Sequence, residues 1–100
     1  MVTTRAVVLE IGNALAKQRF RRGAVALLAA IESDPRVEIV PLAEELCARS
    51  GELFRRHSDK EWGLTDCVSF VVMRDKGISE ALSTDHHFEQ AGFRPLLIED

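Results

Sequence analysis

One apolar segment in the second half of the chain limits the folds that are open to it. Residues 67–73 run Cys-Val-Ser-Phe-Val-Val-Met, so six of these seven positions are apolar. Thr65 and Asp66 are typical of a helix start, with Thr65 as the N-cap, and Gly77 is typical of a helix end. A helix that is apolar around most of its circumference has to be covered on several sides. We therefore expect a layered fold in which this helix, at about residues 66–76, is buried.

The rest of the chain alternates between strands and helices. Short runs of apolar residues between turn residues predict strands at residues 2–4, 37–40, 78–82 and 93–98. Apolar residues three and four positions apart predict helices at residues 5–19, 24–32, 41–58 and 86–91. Gly23 is expected to separate the first two helices. Val25, Leu28 and Ile31 of the second helix and Phe54 of the third are expected to face the core. This alternation favours a single α/β domain of three layers, α/β/α, with a mainly parallel sheet.

The composition is that of an ordinary globular domain, with 46% hydrophobic and 29% charged residues. A net charge of −3 gives no general attraction to nucleic acid, so any RNA contact would depend on a local patch. Two clusters could supply such a patch: residues 17–22, with four cationic side chains around Phe20, and residues 55–57, Arg-Arg-His. A solvated surface or a protein partner explains the same clusters without RNA.

The two cysteines indicate a cytoplasmic protein, and the single tryptophan is expected to pack on a globular core. Cys47 and Cys67 have no cysteine or histidine at zinc-ligand spacing, which indicates reduced thiols. Trp62 is expected to cover the core rather than to stack on a base. No apolar run approaches the roughly 18 residues of a membrane span, so we expect no membrane association.

Three acidic residues lie where the chemistry of an α/β fold is usually found. Glu10 is in the helix that follows the first strand, Asp66 opens the apolar helix, and Asp85 directly follows a strand. Because sites in such sheets lie beyond the carboxyl ends of the strands, the three carboxylates can face one edge. Converging carboxylates repel one another unless a divalent cation lies between them, and oxygen ligands suit Mg²⁺ or Mn²⁺. Such a site can activate water for phosphodiester hydrolysis.

Each acid also has a simpler interpretation. Asp66 is a favourable first-turn charge on a helix, Asp85 can cap the helix that starts at His86, and Glu10 can be a solvated side chain. Glu10 has apolar neighbours on both sides, however, and we expect those neighbours to lie in the core. His86 and His87 are expected on a solvated helix start, without a role in metal binding.

Three blocks of the sequence resemble conserved blocks of the PIN-domain family. They are residues 3–15 (Thr-Thr-Arg-Ala-Val-Val-Leu-Glu-Ile-Gly-Asn-Ala-Leu), residues 62–70 (Trp-Gly-Leu-Thr-Asp-Cys-Val-Ser-Phe) and residues 82–93 (Leu-Ser-Thr-Asp-His-His-Phe-Glu-Gln-Ala-Gly-Phe). The acids of the second, third and fourth family blocks correspond, in this sequence, to Glu10, Asp66 and Asp85. The order and the intervals of the blocks also match, and the resemblance covers essentially the whole chain.

The resemblance implies a PIN-like three-layer fold and the activity of the toxin ribonucleases of bacterial toxin–antitoxin pairs. Glu10, Asp66 and Asp85 would then be the catalytic residues and would hold Mg²⁺ or Mn²⁺. The resemblance further implies an RNA substrate, a cognate antitoxin protein and a homodimer in the cytoplasm.

One family feature is not found in this sequence. PIN domains begin with a central strand that carries a first metal-binding Asp, and no such block precedes Met1 or occurs elsewhere. We therefore expect an N-terminally incomplete domain with unpaired strand edges at residues 2–4 and 78–82. The two halves of the sheet can close together, or a partner or a second copy of the chain can cover the edges, and we expect self-association. A dimer of the kind found among PIN toxins would bury helix faces instead. The loss also leaves a second interpretation open, a non-catalytic module that binds a partner or itself.

Overall fold

The computed structural model describes residues 1–81 and 86–96 of the chain. It contains two compact units, Met1–Leu42 and Ala43–Asp100, and each is described by itself. Within the described residues the strands form two separate two-stranded sheets, both parallel. The prediction of helices alternating with parallel strands is confirmed. The described strands are paired two by two, however, where the sequence predicted one sheet.

The first unit is built from two strands and two helices. The elements are, in order, β1 (Val2–Thr4), α1 (Arg5–Ala14), α2 (Gln18–Ser33) and β2 (Glu38–Val40). β1 and β2 pair in register, with Val2 opposite Glu38 and Thr4 opposite Val40. Thr4 is buried and is the N-cap of α1, because its Oγ1 accepts a hydrogen bond of 3.2 Å from the backbone N–H of Val7. The strand therefore passes directly into the helix.

The break between α1 and α2 lies earlier than the sequence predicted. The helix ends at Ala14 and resumes at Gln18, and Gly23 lies inside α2. A glycine within a helix costs only about 1 kcal/mol relative to alanine, which packing of the rest of the helix can offset. The Arg21 guanidinium donates a hydrogen bond of 2.6 Å to the carbonyl of Ala16, which holds the connection between the two helices.

The inner face of α2 also differs from the prediction. Val25 was expected in the core, yet its side chain is 59% exposed. The face that turns inward carries Ala24, which is buried, and Leu28 and Ile31, which are half-buried. These three residues are four and three positions apart, the spacing of a single helix face. The prediction that Leu28 and Ile31 turn inward is confirmed, and that for Val25 was wrong.

The second unit carries three helices and two short strands among its described residues. The elements are α3 (Glu44–Arg56), α4 (Leu64–Lys76), β3 (Glu80–Ala81), α5 (His86–Gln90) and β4 (Arg94–Pro95). β3 and β4 pair in parallel, with Glu80 opposite Arg94. Gly77 has a φ of 67° and ends α4 in the left-handed conformation, as predicted. Gly63 rather than Thr65 is the N-cap of α4, so that prediction was wrong.

The core of the second unit is centred on α4. Six of its residues are buried, which confirms the expectation from the apolar segment: Cys67, Val68, Phe70, Val71, Val72 and Met73. Phe70 has no exposed surface, and its ring centroid lies 5.1 Å from Trp62, 5.1 Å from Phe88 and 5.7 Å from Phe93. Offset and edge-to-face ring pairs at these distances add to the free energy gained by burial alone. Phe70 thus joins the loop before α4, α5 and the residue before β4.

Helix α3 packs on α4 through a narrower stripe than predicted. Leu46, Ser50 and Leu53 are buried, whereas Phe54 is 41% exposed and does not belong to the core. The Ser50 hydroxyl donates a hydrogen bond of 2.6 Å to the carbonyl of Leu46, so this small polar side chain is satisfied within its own helix.

A surface ion pair also joins α3 to α4. Arg49 donates two hydrogen bonds of 2.7 Å to the two carboxylate oxygens of Asp75. These hydrogen bonds, and the charge of the guanidinium, hold the pKa of the Asp75 carboxyl below its ordinary value. The deprotonated form of Asp75 is therefore favoured in the folded protein.

No helix among residues 1–81 and 86–96 is long and apolar enough to cross a membrane.

Replacing Phe70 with alanine should destabilise the second unit severely. Such truncations of buried aromatic residues cost roughly 3–5 kcal/mol, a large part of the stability of a small domain. Urea unfolding followed by circular dichroism should show this loss. Phe54→Ala, which removes an equal volume from an exposed site, should cost less than about 1 kcal/mol. Equal losses in the two variants would contradict the central place of Phe70.

The Arg49–Asp75 pair should stabilise the protein only above acidic pH. Because the folded-state pKa of Asp75 is lowered, its contribution is present above the ordinary value of 3.8 and is lost as pH falls through the lowered pKa. Asp75→Asn should therefore lower the Tm at pH 7, and the difference from wild type should shrink below about pH 4. Glu61→Gln, an exposed acid in the same unit, is the control. A Tm difference that stays constant down to pH 2 would refute this role.

Candidate functional site

Asp66 is the predicted site acid whose surroundings the structure describes most fully. It lies in the first turn of α4, three residues after the N-cap Gly63. Its Oδ2 accepts a hydrogen bond of 3.0 Å from the backbone N–H of Gly63. This is the side chain of a capping box that reaches back to the N-cap, where glycine has no side chain to complete the other half. The Asp66 side chain is 25% exposed, so its carboxylate is both fixed and accessible.

His87 of α5 faces the same carboxylate. Its Nδ1 lies 3.4 Å from Asp66 Oδ2, and that nitrogen is shielded from solvent. An Nδ1 that carries a hydrogen stabilises the carboxylate electrostatically at this distance. The expectation of two solvated histidines was therefore wrong for His87, whose side chain is 28% exposed, and right for His86, which is 72% exposed. The neighbouring Phe88 packs on Phe70.

Trp62 fixes the loop in front of Asp66. It is 7% exposed, and its indole N–H donates a hydrogen bond of 3.0 Å to Oε1 of Gln90 in α5. The ring also lies 4.7 Å from that of His57 and packs on the edge of Phe70. Trp62 therefore covers the core, as predicted, and connects the loop of Asp66 to the helix of His87.

Cys67, the neighbour of Asp66, is a core residue. Its side chain is fully buried. Burial, and to a smaller extent the charge of Asp66, raises the pKa of the Cys67 thiol, so it remains neutral and unreactive. Cys47 is exposed, and both cysteines are free thiols, as the sequence predicted.

The other two predicted acids are Glu10 and Asp85. Glu10 is an exposed residue of α1 in the first unit. The expectation that core residues flank it holds for Val8, which is buried, but not for Leu9, which is 55% exposed. Asp85 lies outside the described residues. Their convergence with Asp66 thus stays a prediction. Within residues 1–81 and 86–96, no three His, Cys, Asp or Glu side chains lie close enough together to hold a metal ion.

The chemistry of Asp66 nevertheless fits a hard divalent cation. Carboxylate oxygens are the ligands that Mg²⁺ and Mn²⁺ prefer, and a ligand held by neighbouring hydrogen-bond donors loses little freedom on binding. Gly63 and His87 both approach Oδ2 of Asp66. The carboxylate is thereby oriented before any ion arrives.

Comparison with known proteins supports a common origin for the whole chain. The family model described as PIN domain matches residues 1–94. The curated 23S rRNA-specific endonuclease VapC20 of Mycobacterium tuberculosis is 34% identical over 93 residues, which are 93% of this chain and 70% of the relative. The same match is found for two strains of that organism.

A solved structure agrees with the sequence comparison. It is described as the crystal structure of Mycobacterium tuberculosis VapC20, a sarcin–ricin loop cleaving toxin. It superposes with a TM-score of 0.84 at 35% identity and covers 92% of this chain and 70% of its own. Sequence, fold and the order of the acidic blocks therefore agree, and the chain belongs to the PIN-domain family.

Proposed function

We propose that this protein is a divalent-metal-dependent endoribonuclease of the toxin type that hydrolyses phosphodiester bonds in a structured RNA. The observation that carries the proposal is the oriented and accessible carboxylate of Asp66. By the resemblance of residues 62–70 to the third PIN block, Asp66 corresponds to the acid of that block, and the chain is 34% identical to a ribonuclease over 93 residues.

Glu10, Asp66 and Asp85 would be the residues that hold Mg²⁺ or Mn²⁺. When bound, such an ion activates water and neutralises charge on the phosphate. The other residues of the site position these ligands. Asp66 presents a carboxylate whose position is set by the hydrogen bond from the backbone N–H of Gly63, and His87 Nδ1 lies 3.4 Å from the same oxygen. Trp62 and Gln90 hold together the loop and the helix that carry these groups.

The substrate class that we propose is an RNA hairpin of ribosomal RNA. This is inferred from the relative, which is described as specific for 23S rRNA and as cutting the sarcin–ricin loop. Such a loop presents unpaired bases and closely spaced phosphates, so binding needs positive charge and aromatic surface near the cleavage site.

We further propose a protein antitoxin as partner, in the cytoplasm. An open groove of about 390 Å³ between α3 and α4 supports this proposal. Leu53 and Val71 provide apolar surface in it, and three arginines line it together with Glu52 and Ala48: Arg49, Arg56 and Arg74. An apolar segment with acidic residues is the kind of ligand that fits such a groove. Two free thiols are compatible with a reducing compartment.

Substitutions of Asp66 should separate its structural role from its catalytic role. Asp66→Ala removes the acceptor for the Gly63 N–H and should cost about 1 kcal/mol of unfolding free energy. Asp66→Asn keeps an acceptor and should stay within about 0.5 kcal/mol of wild type. Both should lower Mn²⁺-dependent cleavage of a sarcin–ricin hairpin by at least about 100-fold. Cleavage is followed on denaturing gels, with EDTA as the blank.

Asp59→Asn, an exposed acid outside α4, is the control and should cleave normally. Wild-type cleavage by Asp66→Asn would reduce Asp66 to a helix cap. A wild-type chain that binds RNA but never cleaves it, in either Mg²⁺ or Mn²⁺, would establish the non-catalytic interpretation.

The proposed homodimer should depend on apolar helix surface of the first unit. Leu9 of α1 and Val25 of α2 are 55% and 59% exposed, so apolar side chains of this unit are available to an interface. Light scattering at micromolar concentration should give the mass of two chains, and Val25→Lys should give that of one. Leu64→Lys, at a 53% exposed site of the second unit, should leave the dimer intact. A dimer insensitive to Val25→Lys would instead favour association through strand edges.

A further inference from the structure

The start of α2 carries a concentration of positive charge that the proposed catalytic site does not use. We propose that the basic segment, defined as residues 17–22, binds the phosphate backbone of the RNA substrate, with Phe20 as a stacking face for a base. The proposal rests on the proposed ribonuclease function and extends it to the way in which RNA is held.

The charges of the chain are unevenly distributed along it. Residues 11–31 contain four cations, all in the basic segment, and no acid. Residues 1–42 hold six cationic and four acidic side chains, a net charge of +2, and residues 43–100 hold seven and twelve, a net charge of −5. The overall charge of −3 therefore conceals a basic region, which is the electrostatic requirement for holding RNA.

The cations of the basic segment are not neutralised by described neighbours. Elsewhere in the first unit, Arg5 pairs with Glu32 at 2.8 Å and Arg36 pairs with Asp34 at 3.0 Å. By contrast, none of the acids in residues 1–81 and 86–96 lies within ion-pair distance of the four cations, Lys17, Arg19, Arg21 and Arg22. Their full charge is therefore available to a ligand.

The basic segment is both exposed and ordered. All six of its residues are exposed, Phe20 to 41%. The Arg19 guanidinium lies 4.6 Å from the centroid of the Phe20 ring, and Arg21 is fixed on the Ala16 carbonyl. Arg19 and Arg22 are three residues apart in α2 and so lie on one side of the helix. A strand of RNA would meet this surface with little rearrangement of the protein.

The exposed aromatic ring favours RNA over an acidic protein as the ligand. Carboxylates of a protein partner would satisfy the arginines, but they would not use the part of the Phe20 ring that Arg19 leaves exposed. RNA offers regularly spaced phosphates together with unstacked bases, and bases stack on aromatic rings and guanidinium groups. Charge and ring are then explained by one ligand.

The test measures binding of a fluorescein-labelled sarcin–ricin hairpin by anisotropy, in EDTA so that no cleavage occurs. Arg19→Gln/Arg22→Gln should bind roughly 10- to 30-fold more weakly than wild type near 0.1 M KCl, because two phosphate contacts are lost. The slope of log K against log[KCl] should become shallower by about 1.4. Phe20→Leu should weaken binding about fivefold and leave that slope unchanged.

The matched control is Arg36→Gln/Arg55→Gln, which removes the same charge from exposed arginines that Asp34 and Glu52 already pair. It should bind within about twofold of wild type, because paired surface charges offer little to phosphate. Wild-type affinity in Arg19→Gln/Arg22→Gln, or an equal loss in the control, would overturn the proposal, and unchanged affinity would point to a protein ligand for the segment. Binding without cleavage in Mn²⁺ would instead refute only the catalytic function.

Discussion

The second unit depends on the burial of one side chain, Phe70. Its ring has no exposed surface and contacts three rings that come from separate parts of the chain, Trp62, Phe88 and Phe93. Trp62 belongs to the loop in front of Asp66, and Phe88 is next to His87. The same hydrophobic contacts that stabilise the unit therefore set the position of the two polar groups at the candidate site. In a domain this small, catalytic geometry and core packing cannot vary independently.

Asp66 serves the helix and the candidate site with a single carboxylate. A negative charge in the first turn is favourable for α4, and one oxygen accepts the N–H of Gly63. Neither role uses the whole group, because a carboxylate offers about four lone-pair positions. The stabilising contact thus orients the acid without exhausting its capacity to bind a cation. His87 Nδ1 lies 3.4 Å from the same oxygen of Asp66, so a side chain as well as the backbone faces this carboxylate.

The sequence was informative wherever a single physical effect dominated. The apolar run predicted the buried helix α4, and Gly77 predicted its left-handed end, because each pattern has one stable outcome. Val25 and Phe54 were misplaced because each is an apolar residue next to the inner face of its helix. The sequence pattern does not show where the inner face ends, since tertiary packing decides it. The half-buried position of His87 beside Asp66 was missed for a related reason, because it depends on tertiary packing that no local pattern encodes. Asp66 was singled out through the family blocks, since by spacing alone it is equally a helix cap, and its role in metal binding stays a prediction.

The uneven distribution of charge explains how a chain with a negative net charge could bind RNA. A carboxylate site for a cation necessarily repels the phosphates of a substrate until the cation is bound. A region of unneutralised cations elsewhere on the chain can hold RNA through counterion release, which does not depend on the metal. Binding and chemistry are then separable functions of different residues, with net charges of +2 in residues 1–42 and −5 in residues 43–100. It follows that raising the salt concentration should weaken RNA binding strongly while leaving the capacity of the carboxylates for a divalent cation far less affected, because the phosphate contacts are many and exposed.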